Sequence, residues 1–293
     1  MHASPMTEIW RGPFLESVHH GHAVVCNSDG GIEMSWGDAS RVVLPRSSSK
    51  MIQALPLITS GAADAFGLTT EHLALACASH RGEAMHTERV SRWLGDLGLS
   101  DADLRCGAHM PYNTETCHAM IRADESPCQW HNNCSGKHTG FLTLAQYLGA
   151  GPEYLDLDHP VQRAVREASE RVTDEVTSGY GIDGCSAPNF AFSLTGVARA
   201  MAHFAASPKD SAETRLHEAM RLHPELVAGN GRACTELMRA AGGEVAIKTG
   251  AEAFYVAILP KLKLGVALKI DDGTTRASEC AMAAILVKLG VLE

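Results

Sequence analysis

Strand-like segments lie at both ends of this 293-residue chain, with a long helical stretch between them, and this layout restricts how it can bury an apolar surface. Near the start, His22-Ala-Val-Val-Cys-Asn27 reads as a strand, Ser28-Asp-Gly-Gly31 as a turn, and Gly31-Ile-Glu-Met-Ser-Trp36 as an alternating second strand. Toward the end, Glu244–Gly250, Ala253–Leu259 and Leu264–Ile270 read as three strands on short turns, followed by an amphipathic helix over Ala277–Leu289. The middle is helical at Thr70–Cys77, Met85–Leu97, Thr139–Leu148, Pro160–Val172 and Thr214–Ala228. The simplest packing joins both strand groups in one antiparallel sheet flanked by the terminal helices, an α+β fold. A single catalytic domain over 1–293 is expected, its α/β part from about 1–60 and 240–293. A mainly helical lobe over about 61–239 would leave a cleft at the seam.

Composition narrows the function. Hydrophobic residues make up 45%, enough for a sizeable core, and the formal net charge of −9 argues against a nucleic-acid partner. Met1–Glu16 has no apolar segment of the leader type, and no apolar run reaches the ~18 residues of a membrane span. A cytoplasmic protein is therefore expected, with no membrane partner and with its nine cysteines reduced.

Four strings carry candidate chemistry. Ser47-Ser-Ser-Lys50 precedes an apolar helix, and residues three apart on a helix share a face. A serine becomes a good nucleophile once a base takes its proton. A lysine can be that base if burial and nearby cations lower its pKa from about 10.4 toward neutrality. The bland alternative is a chance match in a serine-rich run with a solvated lysine. Lys248-Thr-Gly250 ends a predicted strand; a Ser-x-x-Lys helix followed late by a Lys-Thr-Gly strand is the order found in penicillin-binding proteins and serine β-lactamases. Asn132-Asn-Cys-Ser-Gly-Lys-His138 fails as a phosphate loop, because His131 stands where a glycine is needed and His138 where a Ser or Thr is needed. Its Cys134, with Cys185 of Asp183-Gly-Cys185-Ser-Ala-Pro, could bind a soft metal or could be a free thiol in a tight turn. Ser79-His80-Arg-Gly-Glu83 follows an apolar run and could serve catalysis, hold a polar substrate, or cap a helix.

Taken together these strings resemble the Rhizobium-type, or class 3, L-asparaginases. The matching residues are Ser47–Lys50, Cys77-Ala-Ser-His80, Leu104-Arg-Cys-Gly107, Asn133–His138, Ile182-Asp-Gly-Cys185, His223-Pro-Glu-Leu-Val-Ala-Gly-Asn-Gly-Arg232, Lys248–Ala251 and Lys269-Ile-Asp-Asp-Gly273, in family order. The resemblance implies a fold similar to serine β-lactamases and glutaminases, and hydrolysis of L-asparagine to aspartate and ammonia by a homodimer. It implies two catalytic pairs, Ser47 with Lys50 and Ser79 with Lys248, and a zinc site at Cys134, Lys137 and Cys185. Arg46, His80, Glu83, His138 and Asp183 are expected to bind the substrate. Ala253 stands where the family commonly has a glycine. The rival readings are another serine–lysine hydrolase, acting on glutamine, a peptide or a β-lactam, and a non-catalytic zinc-binding protein.

Overall fold

The computed structural model describes residues 2–293. Its strands are β1 (Ser4–Arg11), β2 (Phe14–Asn27), β3 (Ile32–Trp36), β4 (Val42–Val43), β5 (Tyr180–Ile182), β6 (Pro188–Phe190), β7 (Phe192–Ser193), β8 (Ala246–Gly250), β9 (Phe254–Leu259) and β10 (Leu264–Ile270). The main sheet runs β1-β2-β10-β9-β8, with β3 also paired to β2, and every pairing in it is antiparallel. The two ends of the chain meet where β2 pairs with β10, Val25 opposite Val266. This is the expected α+β architecture with one sheet built from both termini.

All six residues of β9 are buried, which requires cover on both faces and accounts for the unbroken apolar run Phe-Tyr-Val-Ala-Ile-Leu in place of alternation. The Thr275–Lys288 and Leu194–Ala206 helices both pack on it. The expectation of terminal helices alone is thus corrected: the second cover comes from mid-chain. That helix starts at Ser193, whose Oγ accepts from Gly196 N at 2.9 Å, and it is rich in alanine. Small residues let it come very close to the sheet. A Cβ on Gly265 would stand 2.1 Å from Ala202 N and 2.3 Å from Ala198 O.

Other differences have local causes. β1 was absent from the sequence reading because it is half exposed and only Thr7 is fully buried, so it lacks an apolar signature. The Thr214–Ala228 segment is two helices, Ala212–Leu222 and Pro224–Ala228, broken at Pro224. The stretch after Pro45 is a 3-10 turn, Arg46–Ser49, then the short helices Lys50–Gln53 and Leu55–Thr59. The helix predicted from Thr139 begins at Ser135, which carries Lys137 and His138 onto a buried helix. No helix among the described residues is long and apolar enough to cross a membrane.

The close approach at Gly265 sets a test. Gly265→Ala is expected to destabilise the protein by about 3 kcal/mol through overpacking, measured by urea unfolding; wild-type stability in the variant would show that the helix and sheet have room to part.

Candidate active site

Three stretches distant in sequence converge at the seam between sheet and helical lobe. The first is the 3-10 turn that carries Ser47. Arg46, just before it, has φ +52, a left-handed conformation that is strained for a residue with a side chain. It is held there by its partners: its N–H donates to Asn189 Oδ1 at 3.1 Å, and its Nε and Nη2 donate to Asp183 Oδ1 at 3.0 and 2.7 Å. The second stretch is the end of the Thr70–Ala76 helix, whose last turn runs into Ser79. The Ser79 N–H donates to Val227 O at 2.8 Å and the His80 N–H to Asn133 O at 3.1 Å, tying this segment to the Cys134 loop. The third is the edge strand β8. Ser48 Oγ donates to the carbonyls of Lys248 and Phe254 at 3.2 and 3.1 Å, and a Cβ on Gly250 would come 2.7 Å from Pro45 O, so only glycine lets β8 lie this close to the Ser47 turn.

Two lysines meet at one serine. Lys50 Nζ lies 3.0 Å from Ser79 Oγ and also donates to Ala78 O. Lys248 Nζ lies 2.9 Å from the same Oγ and donates to Thr249 O at 2.7 Å. The expected pairing is therefore redrawn: Ser79 takes both lysines, and no hydrogen bond joins Lys50 to Ser47 among the described residues. The i, i+3 argument assumed a regular helix, whereas Ser47 sits on a 3-10 turn and Lys50 opens the next helix. Lys248 is 0% exposed and Lys50 1% exposed. Burial, and next the charge of Lys50, push the Lys248 amine down to about 7.

The cysteine loops form a second cluster beside the first. Lys137 Nζ lies 3.1 Å from Cys185 Sγ, and Cys134, Lys137 and Cys185 are all buried. The Cys134 thiol, followed by the Lys137 charge and His138, holds Cys185 as its thiolate. The partner thiol Cys134 is pushed up, first by its hydrogen bond to Cys185, and Lys137 is raised because the thiolate charges outweigh its burial. Among the described residues no three His, Cys, Asp or Glu side chains come together to hold a metal ion, so a metal here would need Lys137 as a ligand. The donor types fit zinc: two soft sulfurs and a nitrogen, Lys137 Nζ already on Cys185 Sγ, and His138 Nε2 buried without a hydrogen-bond partner.

A cavity of about 600 Å3 opens onto both clusters, lined among others by Arg46, Ser47, Ser79, Cys134, Asp183 and Cys185. Of the residues expected to bind substrate, Arg46, Asp183 and His80 line it, whereas Glu83 and His138 do not. The His80 ring is already engaged, with Nε2 on Ser135 Oγ at 2.8 Å and Nδ1 accepting from Gly82 N at 3.1 Å. Burial holds it well below the usual histidine range, so it is a neutral brace for the Ser79 loop. Glu83 lies against Gly229 with Oε1 buried and without a partner, and burial raises its carboxyl. His138 Nδ1 bonds the Tyr154 hydroxyl at 2.9 Å, a core contact. His109, Tyr112, Arg232, Tyr255 and Glu279, none of them expected to bind substrate, also line the cavity. Arg232, which ends the Gly-rich His223–Arg232 string, was the one with a visible signal.

The chain was compared with known proteins. A family model described as L-asparaginase II matches residues 7–293. No curated protein gives a significant match. Among solved structures, the native form of Mglu is 12% identical, with 93% of this chain and 65% of that one covered, at a TM-score of 0.50. A putative β-lactamase from Bacteroides dorei DSM 17855 is 11% identical, with 92% and 93% covered, at a TM-score of 0.49. A β-lactamase (Mb2281c) from Mycobacterium bovis is 14% identical, with 92% and 94% covered, at a TM-score of 0.40. At such identities the likeness to Mglu concerns the fold alone.

The depressed lysine can be observed directly. In NMR of 13C-lysine-labelled protein, one side-chain resonance should titrate near pH 7 and vanish in Lys248→Met; a Lys248 that titrates only in the ordinary lysine range would contradict the geometry.

Proposed function

The chain belongs to the L-asparaginase II family and is an L-asparagine amidohydrolase; from this premise we propose that it works by serine–lysine chemistry, with Ser47 as nucleophile and Ser79 as proton relay between Lys50 and Lys248. The observation that carries the reading is the meeting of two buried lysine amines on Ser79 Oγ in a cavity that Ser47 also lines.

Two features favour Ser47 for the attack. Ser47 N–H lies in the first turn of its 3-10 helix, where N–H groups have no intrahelical acceptor, so it is available as an oxyanion-hole donor. Ser79 N–H is already taken by Val227 O, and its hydroxyl is held between two amines. Ser47 Oγ attacks the side-chain amide carbon of asparagine. Its proton passes to the Lys50–Ser79–Lys248 chain, entering on a neutral amine. The same chain delivers a proton to the leaving nitrogen as ammonia departs. Water then adds to the acyl ester, aspartate leaves, and Ser47 regains its proton. Arg46 and Asp183, fixed against each other beside Ser47, orient the α-groups of asparagine; the second carboxylate oxygen of Asp183 faces no partner among the described residues.

Cys134, Lys137 and Cys185 would hold zinc, which supplies a fixed positive charge at that wall of the cavity. Holding it requires Lys137 to give up its proton and both thiols to be thiolates. The reading is completed by a homodimer at work in the cytoplasm as a single catalytic domain; these features rest on the resemblance and the composition.

Ser47→Ala is expected to lower kcat for ammonia release from asparagine by roughly a thousandfold or more with the fold intact by circular dichroism. Ser79→Ala is expected to lower it by about a hundredfold, as loss of a proton relay does. A Ser47→Ala enzyme of near wild-type rate would overturn the assignment. The sign of the pH dependence follows from the lowered amine: Lys248 is neutral above about 7, so kcat/KM should rise as pH rises through that value. A flat profile from pH 6 to 8 would remove Lys248 from the proton path.

A further inference from the structure

Arg232 ends the His223–Arg232 string, and the mechanism above leaves it unused. It lines the same cavity as Ser47 and Ser79, and so does Glu279, from the Thr275–Lys288 helix. Arg232 is exposed and Glu279 half-buried, and neither side chain makes a hydrogen bond or ion pair among the described residues. Arg232 stands two residues before Cys234, whose Sγ donates to the Tyr255 hydroxyl at 3.3 Å, and Glu279 is carried by the helix that packs on β9, the strand of Tyr255. Tyr255 stands opposite Thr249 in the β8–β9 register, one residue along β8 from Lys248. A cation and an anion without side-chain partners among the described residues therefore line the cavity where Tyr255 and Thr249 also line it. The Arg46–Asp183 pair is tied instead to the turn that carries Cys185.

Size points the same way. At roughly 30 Å3 per water, a cavity of about 600 Å3 holds the equivalent of ~20 waters, more than a substrate as small as asparagine fills. The remaining room is lined by charges of both signs.

We propose that Arg232 and Glu279 form a second subsite, for the amine half of a β-aspartyl amide, and that the enzyme cleaves β-aspartyl dipeptides whose C-terminal residue is basic. The chemistry selects this class. In such a dipeptide the α-nitrogen of the second residue is part of the scissile amide and carries no charge. The charges left on that half are its carboxylate, which suits Arg232, and its side-chain cation, which suits Glu279. The reaction is that of asparagine with a larger leaving group. The bond from Ser47 Oγ to the β-carbonyl carbon forms, the C–N bond breaks, and the departing nitrogen takes the proton released from Ser47. Water then splits the ester, restoring Ser47 and releasing aspartate beside the basic amino acid. The proposal rests on the serine–lysine reading for its chemistry, and on Arg232 and Glu279 for its selectivity.

The test measures kcat/KM for β-aspartyl-arginine, β-aspartyl-alanine and asparagine with the full-length wild type, Arg232→Gln and Glu279→Gln. The wild type should release arginine. Glu279→Gln should lower the rate on β-aspartyl-arginine about tenfold relative to β-aspartyl-alanine, and Arg232→Gln should lower both dipeptides about tenfold relative to asparagine, the loss expected for one charged contact. The proposal is overturned if a preparation active on asparagine releases no arginine. It is equally overturned if either variant lowers asparagine turnover as much as dipeptide turnover, since the pair would then hold the α-groups of asparagine itself. Ser47→Ala, run alongside, separates the two layers: cleavage that persists in that variant with the same dipeptide preference refutes the nucleophile and leaves the subsite standing.

Discussion

Two buried amines on one hydroxyl are the constraint around which the site is built. Lys50 Nζ and Lys248 Nζ lie 3.0 and 2.9 Å from Ser79 Oγ, so they cannot be more than about 6 Å apart. Two unit charges at that separation repel by about 3 kcal/mol at the effective dielectric of a protein interior, and burial adds a desolvation cost to each. The arrangement is relieved by leaving one amine neutral, and Lys248, fully buried, is the one driven down to about 7. A neutral amine, a hydroxyl and a second amine in line make a path along which a proton can move in either direction. That symmetry suits a reaction in which one serine must lose its proton and later recover it.

The path exists only in the folded chain, because each of its members comes from a different part of it. Lys248 lies on the edge strand of the sheet, Lys50 opens the first α-helix after the N-terminal strands, and Ser79 follows the Thr70–Ala76 helix. Each segment is fastened locally: Ser48 bonds the carbonyls of Lys248 and Phe254, and the Ser79 and His80 amides bond Val227 and Asn133. Gly250 is part of the same fastening, since any side chain there would push β8 off the Ser47 turn.

The regular parts of this design were legible in the sequence and the irregular ones were not. The sheet joining both ends could be read because β8, β9 and β10 are short apolar runs separated by turn residues, and pairing with the N-terminal strands is the simplest way to bury them. Ser47, Lys50, Ser79 and Lys248 could be named from their strings. Their pairing could not, because Lys50 and Ser79 are 29 residues apart and Lys248 and Ser79 are 169 apart, and residue spacing reports only local geometry. Glu83 and His138 belong to such strings but do not line the cavity: Glu83 packs against Gly229, and His138 bonds Tyr154 while it favours the Cys185 thiolate. Glu279 belongs to no such string: a lone charge on a helix looks solvated until a cavity is seen beside it.

Four of the eight non-glycine residues with positive φ among the described residues adjoin the strings of the site. Arg46 stands one residue before Ser47, Ser186 one residue after Cys185, and Glu252 and Ala253 in the turn after Lys248-Thr-Gly; all four have positive φ, at 52, 68, 58 and 54°. Ala253 is the position where a glycine was anticipated, and the left-handed conformation explains why glycine suits it. Each such residue costs on the order of 1 kcal/mol and persists only where neighbours over-determine it. Asp183 does this for two of them at once. Its carboxylate accepts both contacts from Arg46, its carbonyl accepts from Ser186 N at 2.8 Å, and its own N–H donates to Ala187 O at 2.9 Å. One residue thus fixes the turn that presents Ser47 and the turn that presents Cys185. The cysteine–lysine cluster and the Ser47 turn are joined through this single residue, Asp183.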